Sequence, residues 1–200
     1  METSEKELTP EESFKIIQTM IDTARNKVAE DGFHLMLWGV LVILCCIANY
    51  FLIQANAGNL AGIPWLLMPC IGVPAGILYE KNRSRQQQIK SHADLYVANM
   101  WMAYLFSLVI MIAFCSFSQI SPVPFILIIT GMATFATGKI LKFTPLLFGG
   151  IVFWLSAFIC LKVVDESQLI VQAVSTFLGY IIPGILLWRN FKAETNVQTA

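Results

Sequence analysis

Hydrophobic residues along this chain fall into six long runs, and polar residues concentrate in the segments between them. The runs are Phe33 to Gln54, Ile63 to Tyr79, Leu95 to Ser118, Pro122 to Gly138, Phe143 to Val163 and Leu169 to Trp188. A helix of about 20 apolar residues crosses the roughly 30 Å hydrocarbon core of a bilayer, and runs near 17 are tolerated. Strands of a membrane β-barrel would instead alternate polar and apolar residues over about ten positions. The pattern therefore predicts an all-α polytopic membrane protein with six transmembrane helices.

Composition also indicates lipid as the main solvent of the chain. Of the 200 residues, 56% are hydrophobic and 13% are charged, whereas about a quarter of a typical soluble domain is charged. The net charge is zero, but residues 1–32 carry twice as many acidic as basic residues and have a net charge of about −4. Binding to nucleic-acid phosphates requires clustered Lys and Arg. The acidic segment therefore argues against nucleic acid as a direct partner.

Basic residues around the predicted spans lie almost entirely on one side, and short cytoplasmic loops are enriched in Lys and Arg. That side holds Lys6, Lys15, Arg25, Lys27, Lys81, Arg83, Arg85, Lys90, Lys139, Lys142, Arg189 and Lys192, and the other side holds only Lys162. We therefore expect both termini in the cytoplasm. The predicted regions are a cytoplasmic arm over 1–32, a six-helix transmembrane domain over 33–192 and a cytoplasmic tail over 193–200.

The short outer connections pair the spans into three hairpins with similar sequences. Each first helix starts near an aromatic residue beside a small one, and each second helix ends in a Gly-containing string; the markers are Trp38-Gly39, Trp101 to Ala103 and Phe148-Gly149, followed by Gly76, Gly138 and Gly184. Their nearly equal separations predict a threefold repeat, and chance similarity between apolar sequences is the alternative. Pro74 with Gly76 and Pro183 with Gly184 are candidate helix-bend positions. Such interruptions in corresponding repeats are typical of transporter sites.

The arm ahead of the first span has the pattern of an amphipathic helix. Thr9 with Glu12 forms a capping box, and Pro10 occupies the first helical position. A candidate docking face recurs at alternating steps of three and four: Phe14, Ile17, Ile21, Ala24 and Val28. We expect Gly32 to bend the chain, so that the arm lies along the cytoplasmic face. Its own bundle or a neighbouring copy is the expected cover, a cytoplasmic protein is the alternative, and its acidity disfavours lipid alone.

The string Leu8-Thr9-Pro10-Glu11-Glu12-Ser13, the amphipathic helix after it and Leu37-Trp38-Gly39 resemble an uncharacterised family of small bacterial six-helix integral membrane proteins. The resemblance covers most of the chain and implies the same fold in a bacterial inner membrane. The family has no established activity, so no functional residue can be transferred. Its members are often encoded beside small winged-helix DNA-binding regulators, which suggests a regulatory partner.

Residues able to perform chemistry are sparse in the predicted spans. No Asp, Glu, Lys, Arg or His lies deep in a span, His34 and His92 are separated, and the five cysteines form no CxxC motif. We therefore expect no catalytic site, no metal site and no cofactor. Neutral polar residues remain and predict helix–helix hydrogen bonds or a small polar pathway: Asn49, Asn99, Ser107, Ser116, Thr130, Thr134, Thr137, Ser156, Gln172, Ser175 and Thr176.

Two functions fit this pattern. The first is a non-enzymatic scaffold or regulator that engages a partner through its cytoplasmic arm, because the arm is well formed and the spans lack charge. The alternative is a small channel or transporter for a neutral or apolar substrate, which the repeat and the Pro-Gly positions favour. The expected partners are the lipid bilayer, a second copy of the chain and a cytoplasmic protein.

Overall fold

A computed structural model describes residues 10–57, 60–83, 92–163 and 165–189, with the side chains at 10–31, 80, 82–83, 92–94 and 165 outside the description. The helices are α1 (Pro10–Gln54), α2 (Ile63–Arg83), α3 (His92–Ser118), α4 (Val123–Ile140), α5 (Thr144–Cys160) and α6 (Asp165–Thr176). A π-helical turn, Phe177–Ile181, extends α6 into a further helical segment over 182–189. Below, α6 denotes all three segments together. Helices and their connections account for the whole of the described chain, as the hydrophobic pattern predicts.

The six helices form three consecutive hairpins with α6 at the centre of the packing. α6 contacts α1, α5 and α4, whereas α2 packs chiefly on α1 and α3 chiefly on α4. The core lies among α1, α4, α5 and α6, and its largest members are Leu127, Phe153 and Tyr180. The outer helices α2 and α3 therefore cover the flanks of a four-helix core.

The outward surface of the bundle is apolar. On α3, Phe106, Ile110 and Phe117 are 67%, 70% and 91% exposed. Four helical segments are long and apolar enough to cross a membrane, namely Gly32–Gln54, Leu95–Ser118, Val123–Ile140 and Glu166–Arg189, and Ile63–Tyr79 and Thr144–Cys160 are shorter apolar helices. A continuous apolar exterior of this extent is typical of a lipid-facing surface rather than of a soluble monomer.

The helix α1 is a single 45-residue element that runs from the arm into the first span. Residues on both sides of Gly32 are helical, so the chain stays in α-helical conformation at the position where we expected a bend. Gly32 is buried against α6. A Cβ at this position would lie 3.3 Å from the carbonyl oxygen of Gly184 and 3.4 Å from Leu187 Cβ. The side chains of the predicted docking face lie outside the described residues.

The predicted bend positions behave differently in the two hairpins. α2 remains helical from Ile63 to Arg83 with Pro69 and Pro74 inside it. In α6 the π-helical turn ends at Ile181, two residues before Pro183, and the amide of Ile182 donates to the carbonyl of Phe177. Pro183 has no N–H to offer to the preceding turn, and wider turns of this kind absorb such an interruption. Bends at these positions stay a prediction.

Close backbone contact joins α5 to both of its neighbours. A Cβ added to Gly149 would lie 2.6 Å from the carbonyl oxygen of Gly179 on α6. A Cβ added to Gly150 would lie 2.8 Å from Phe135 Cβ and 2.9 Å from the carbonyl oxygen of Gly131 on α4. Only small residues allow helix backbones to approach so closely, which is the usual basis of helix association in lipid.

Replacing Gly149 with Ala should force α5 and α6 apart, because the new methyl group would meet backbone atoms that cannot rotate away. We expect a loss of about 1 to 3 kcal/mol, the usual cost of overpacking, measured as a lower unfolding temperature in detergent. Gly62→Ala is the matched control, since a Cβ there meets nothing within 4 Å. Equal unfolding temperatures for the two variants would contradict the close approach.

Candidate functional site: a buried polar seam

A line of polar side chains runs along one face of α6. Gln168, Gln172, Thr176 and Tyr180 follow one another at steps of four, and each is no more than 6% exposed. Residues four apart lie on the same helical face. All four side chains are neutral at pH 7, so the line presents hydroxyl and amide groups without charge. It starts at the first turn of α6, and we call this the Gln168 end; from there it reaches the middle of the bundle.

Matching groups on and just before α4 meet this line at several levels. At the first level Ser121 Oγ donates to Gln168 Oε1. At the fourth and last level Thr134 Oγ1 lies 3.3 Å from Tyr180 Oη. The two pairs have nearly the same sequence offset, 47 and 46 residues, as expected for two neighbouring helices that run in the same direction. The same offset puts Thr130 level with Thr176 between them. We call this set the polar seam.

The seam continues onto α3 through a tyrosine. Tyr104 Oη and Thr130 Oγ1 are 3.0 Å apart, and either oxygen can be the donor. Thr134 Oγ1 is 2.7 Å from the carbonyl oxygen of Thr130, and a hydroxyl has a single hydrogen. If Thr134 gives that hydrogen to the carbonyl, Tyr180 donates to Thr134 Oγ1. Hydroxyl groups therefore connect α3, α4 and α6 in the middle of the bundle.

The Gln168 end of the seam is closed by hydrogen bonds. Gln168 Nε2 donates to the carbonyl oxygens of Cys160 at 3.0 Å and Val163 at 3.4 Å. With Ser121, Gln168 thus ties the start of α4 and the end of α5 to α6. Gln54 Nε2 donates to Glu166 Oε2 at 3.2 Å and adds the end of α1. Four helix ends are held together at the Gln168 end.

Gln172 is the exception within the seam. The side chain is 3% exposed, and its Oε1 has no hydrogen-bond partner in the described part of the chain. The contact between Gly149 and Gly179 sets the antiparallel register of α5 and α6, and seven residues along each helix this register brings Ser156 level with Gln172. Ser156 is also buried. An unsatisfied buried acceptor costs about 1 to 3 kcal/mol, so Gln172 is the position in the seam most in need of a donor.

The structure gathers most of the neutral polar residues that the sequence singles out. Those that are buried are Thr130, Thr134, Thr137, Ser156, Gln172, Ser175 and Thr176, whereas Asn99, Ser107 and Ser116 lie on the surface. Asn49 belongs to the first hairpin: with its amide oriented to satisfy both neighbours, it donates to Ala61 O at 3.3 Å and accepts from Trp65 Nε1 at 2.7 Å. The seam is therefore a property of the second and third hairpins.

Four seam residues were absent from the sequence-based set, namely Tyr104, Ser121, Gln168 and Tyr180. Gln168 lay outside the predicted sixth span, which we started at Leu169. The spacing of four between Gln168, Gln172, Thr176 and Tyr180 was the signal that could have identified two of them. Tyr104 could not be identified in this way, because its role depends on which face of α3 meets α4.

The predicted bend glycines occupy different surroundings from the seam. A Cβ on Gly76 would lie 3.5 Å from His34 Nε2, and one on Gly184 would lie 2.8 Å from Met36 Cγ. His34 also forms an edge-on ring contact with Tyr79, which stacks on Phe33 at 3.6 Å. Both glycines therefore mediate packing against the inner half of α1. Neither belongs to the seam.

The seam can bind neutral groups through hydrogen bonds. No group of three or more His, Cys, Asp or Glu residues suited to a metal ion occurs among the described residues. No family model, no curated protein and no solved structure matches the chain. The chemistry of the seam therefore rests on its own hydroxyl and amide groups.

Gln172→Leu tests whether the unpaired amide has a structural role. Because the substitution removes a buried acceptor without a partner, we expect unfolding in detergent to be unchanged or shifted upward. Gln168→Leu, one helical turn away, is the matched comparison and should lower stability by about 1 to 3 kcal/mol, since it leaves Ser121 without its acceptor. If Gln172→Leu destabilises as strongly as Gln168→Leu, the Gln172 amide is satisfied in solution and is not a vacant acceptor.

Proposed function

We propose that this protein is a non-enzymatic scaffold or regulator of the bacterial inner membrane that engages a partner through its N-terminal cytoplasmic helix. In this proposal the six helices cross the membrane as three hairpins, with both termini in the cytoplasm. The observation that carries the proposal is the continuity of α1 from Pro10 to Gln54.

Continuity of α1 constrains where the arm can go. At 1.5 Å per residue, 45 helical residues extend about 68 Å, more than twice the roughly 30 Å hydrocarbon core. A helix that lay flat on the membrane would need a sharp turn near Gly32, and sharp kinks arise at specific local interruptions of the helix. The uninterrupted helix therefore favours an arm that projects into the cytoplasm. This revises our expectation of an arm folded along the membrane.

A projecting arm changes which surface can cover its docking face. Phe14, Ile17, Ile21, Ala24 and Val28 would gain several kcal/mol from burial, at about 1.5 to 3 kcal/mol per large side chain. A lipid surface and the inner end of the same bundle are both remote from a helix that stands away from the membrane. The alternating spacing of three and four is that of a coiled-coil seam. The partner therefore presents a helix or a groove that accepts one, on a second copy or on a cytoplasmic protein.

The orientation is supported by the charges at the two ends of the bundle. Lys81 near the end of α2, Lys139 at the end of α4 and Arg189 at the end of α6 lie at the end where the even-numbered helices finish. Lys162 follows α5 at the opposite end. Short cytoplasmic loops are enriched in Lys and Arg. This asymmetry favours the cytoplasm at the end that leads into the arm.

Two inter-hairpin contacts support the threefold repeat. Gly138 of the second hairpin packs on Leu146 and Leu147 at the start of the third, and Gly184 of the third packs on Met36 of the first. In the sequence alignment of the hairpins, Gly138 corresponds to Gly184 and Leu146 to Met36. The same positions thus join one hairpin to the next at both junctions. Superposition of all three hairpins stays a prediction.

A small transporter or channel for a neutral substrate is the second candidate. The observation that favours it is the polar seam, which ends at a π-helical turn near Pro183 and contains the unpaired side-chain oxygen of Gln172. π-Helical turns are frequent at functional sites, and interrupted helices near the midplane are typical of transporter sites. The closed Gln168 end would have to open for a substrate to enter.

The topology predicts the location of both ends of the chain. Reporter domains fused to the N-terminus and after residue 200 should both report a cytoplasmic location. A reporter inserted between α5 and α6, near Lys162, should report the opposite side. A terminus found outside would contradict the orientation, whereas three reporters on the expected sides would leave only the individual spans to be mapped.

The docking face predicts a specific response to substitution in the arm. Ile17→Asp with Ile21→Asp should abolish association of the arm with its partner, because each buried Ile contributes about 1.5 to 3 kcal/mol. The measurement is the mass of the particle purified in mild detergent, together with identification of the proteins that copurify.

Thr19→Asp with Asn26→Asp is the matched control, because it adds the same charge on the opposite face of the helix. The control should keep the mass and the partners of the unaltered chain. If both double variants retain them, the apolar stripe is not a docking face and the scaffold proposal loses its main support.

A further inference from the structure

An apolar groove lies on the outside of the bundle between α5 and α6, away from the polar seam. Its volume is about 340 Å³, and its walls include Pro145, Phe148, Val152, Leu178, Ile182 and Pro183. The floor is formed where Gly149 meets Gly179, because the two backbones touch there and leave no side chain to fill the space. The groove is therefore a consequence of the same glycine contact that fixes the register of the two helices.

The dimensions of the groove fit one stretch of a hydrocarbon chain. Its α6 wall runs from Leu178 to Leu186, which is about 12 Å along a helix. Under the proposed topology, this is the half of the membrane nearest the cytoplasm. Any lipid-facing surface contacts acyl chains, but a walled groove holds one chain in place instead of exchanging it freely.

Basic residues flank the cytoplasmic end of the groove. Lys142 lies two residues before Thr144, which lines the groove, and Arg189 lies three residues after Leu186 and so on a neighbouring part of the same helical face. Both side chains are exposed. No Asp or Glu occurs between residues 121 and 164. The α4–α5 side of this end of the groove therefore carries basic side chains and no acidic one.

The backbone of Lys142 is left-handed, as it also is at Asn56 and Gln119. Lys142 has φ of 54°, a left-handed conformation that Gly adopts freely and that is unfavourable for a side chain. The turn is closed by hydrogen bonds from Phe143 N to Gly138 O at 2.9 Å and from Lys142 N to Lys139 O at 3.3 Å. Glycine is the usual residue at this position of a helix C-terminus. Lysine in its place retains a positive charge next to the groove at the cost of backbone strain.

We propose that an anionic phospholipid of the cytoplasmic leaflet occupies this groove, with an acyl chain along Phe148, Val152 and Ile182 and its phosphate between Lys142 and Arg189. Basic pockets between transmembrane helices on the cytoplasmic side commonly bind such headgroups. The inference rests on the proposed six-span topology, which sets the leaflet, but not on the role of the arm. The bound lipid would hold the α4–α5 turn to the end of α6.

The test compares lipids that share acyl chains and differ in headgroup. The full-length protein is purified in detergent and supplied with phosphatidylglycerol or with phosphatidylcholine of identical chains, and retained lipid is measured by native mass spectrometry. Phosphatidylglycerol should be retained in preference to phosphatidylcholine. Lys142→Gly and Arg189→Gln should each weaken its retention about fivefold. Val152→Trp, which fills the groove, should remove retention of both lipids.

Matched controls separate this site from general effects. Lys162→Gln removes a charge at the opposite end of the bundle, and Leu155→Trp introduces the same indole side chain at an exposed position outside the groove; both should retain phosphatidylglycerol normally. Lys142→Gly relieves an unfavourable backbone conformation, so its unfolding temperature without lipid should not fall, and a loss of lipid in this variant cannot be attributed to misfolding. Equal retention of the two lipids, or equal loss in Lys162→Gln, would overturn the proposal.

The lipid experiment and the topology experiment test different claims, and either claim can be rejected without the other. If reporters place the termini outside while lipid retention follows Lys142, Arg189 and Val152, the groove binds anionic lipid in the other leaflet and the orientation is wrong. If the reporters agree with the proposed topology and none of the groove variants changes retention, only the lipid site is rejected.

Discussion

Direct contact between helix backbones is the constraint on which the rest of this bundle depends. In lipid, apolar side chains gain little by leaving the solvent for the core, so helices associate through close packing and hydrogen bonds. Here α5 meets α6 where Gly149 faces Gly179 and meets α4 where Gly150 faces Gly131. These contacts set how far α4 and α6 stand from α5 and hence from each other. The seam of hydroxyl and amide groups between α4 and α6 can form only at that separation.

The number and type of the helices could be predicted from hydrophobic runs alone, and the starts of α2 and α4 agree to within a residue with the predicted ones. The start of α6 could not. Asp165 and Glu166 precede the predicted start at Leu169, yet they form the first turn of α6, where acidic side chains are stabilised by the helix dipole. A hydropathy scale counts the free-energy cost of placing a charged side chain in lipid. It does not count the stabilisation that an acidic side chain gains at a helix N-terminus.

The composition of the seam was visible in the sequence, but its geometry was not. Thr134 and Thr137 look alike in an apolar run, and Thr134 lies beside Tyr180 while Thr137 bonds to the carbonyl of Ala133 on its own helix. Which of them faces a neighbour depends on the rotation of α4, and rotation is set by the glycine contacts of the folded bundle. The continuity of α1 through Gly32 escaped prediction for a similar reason. Gly32 is used for close packing against Gly184 and not for a turn, and the two uses of glycine have the same appearance in a sequence.

Both the scaffold proposal and the transporter proposal involve α6. Gly32, where the arm enters the bundle, packs on Gly184 and Leu187, and Gly184 follows Pro183 and the π-helical turn that carries Tyr180. A force on a continuous helix is transmitted to the first residues that hold it, which for α1 is this contact with α6. A partner that displaced the arm would therefore act first on the least regular part of α6. The hydroxyl of Tyr180 on that segment lies within hydrogen-bond distance of Thr134 of α4. The part of α6 that packs near Gly32 is therefore continuous with the last polar contact of the seam. If the arm binds a cytoplasmic partner as proposed, this packing connects that partner to the polar interior through one helix.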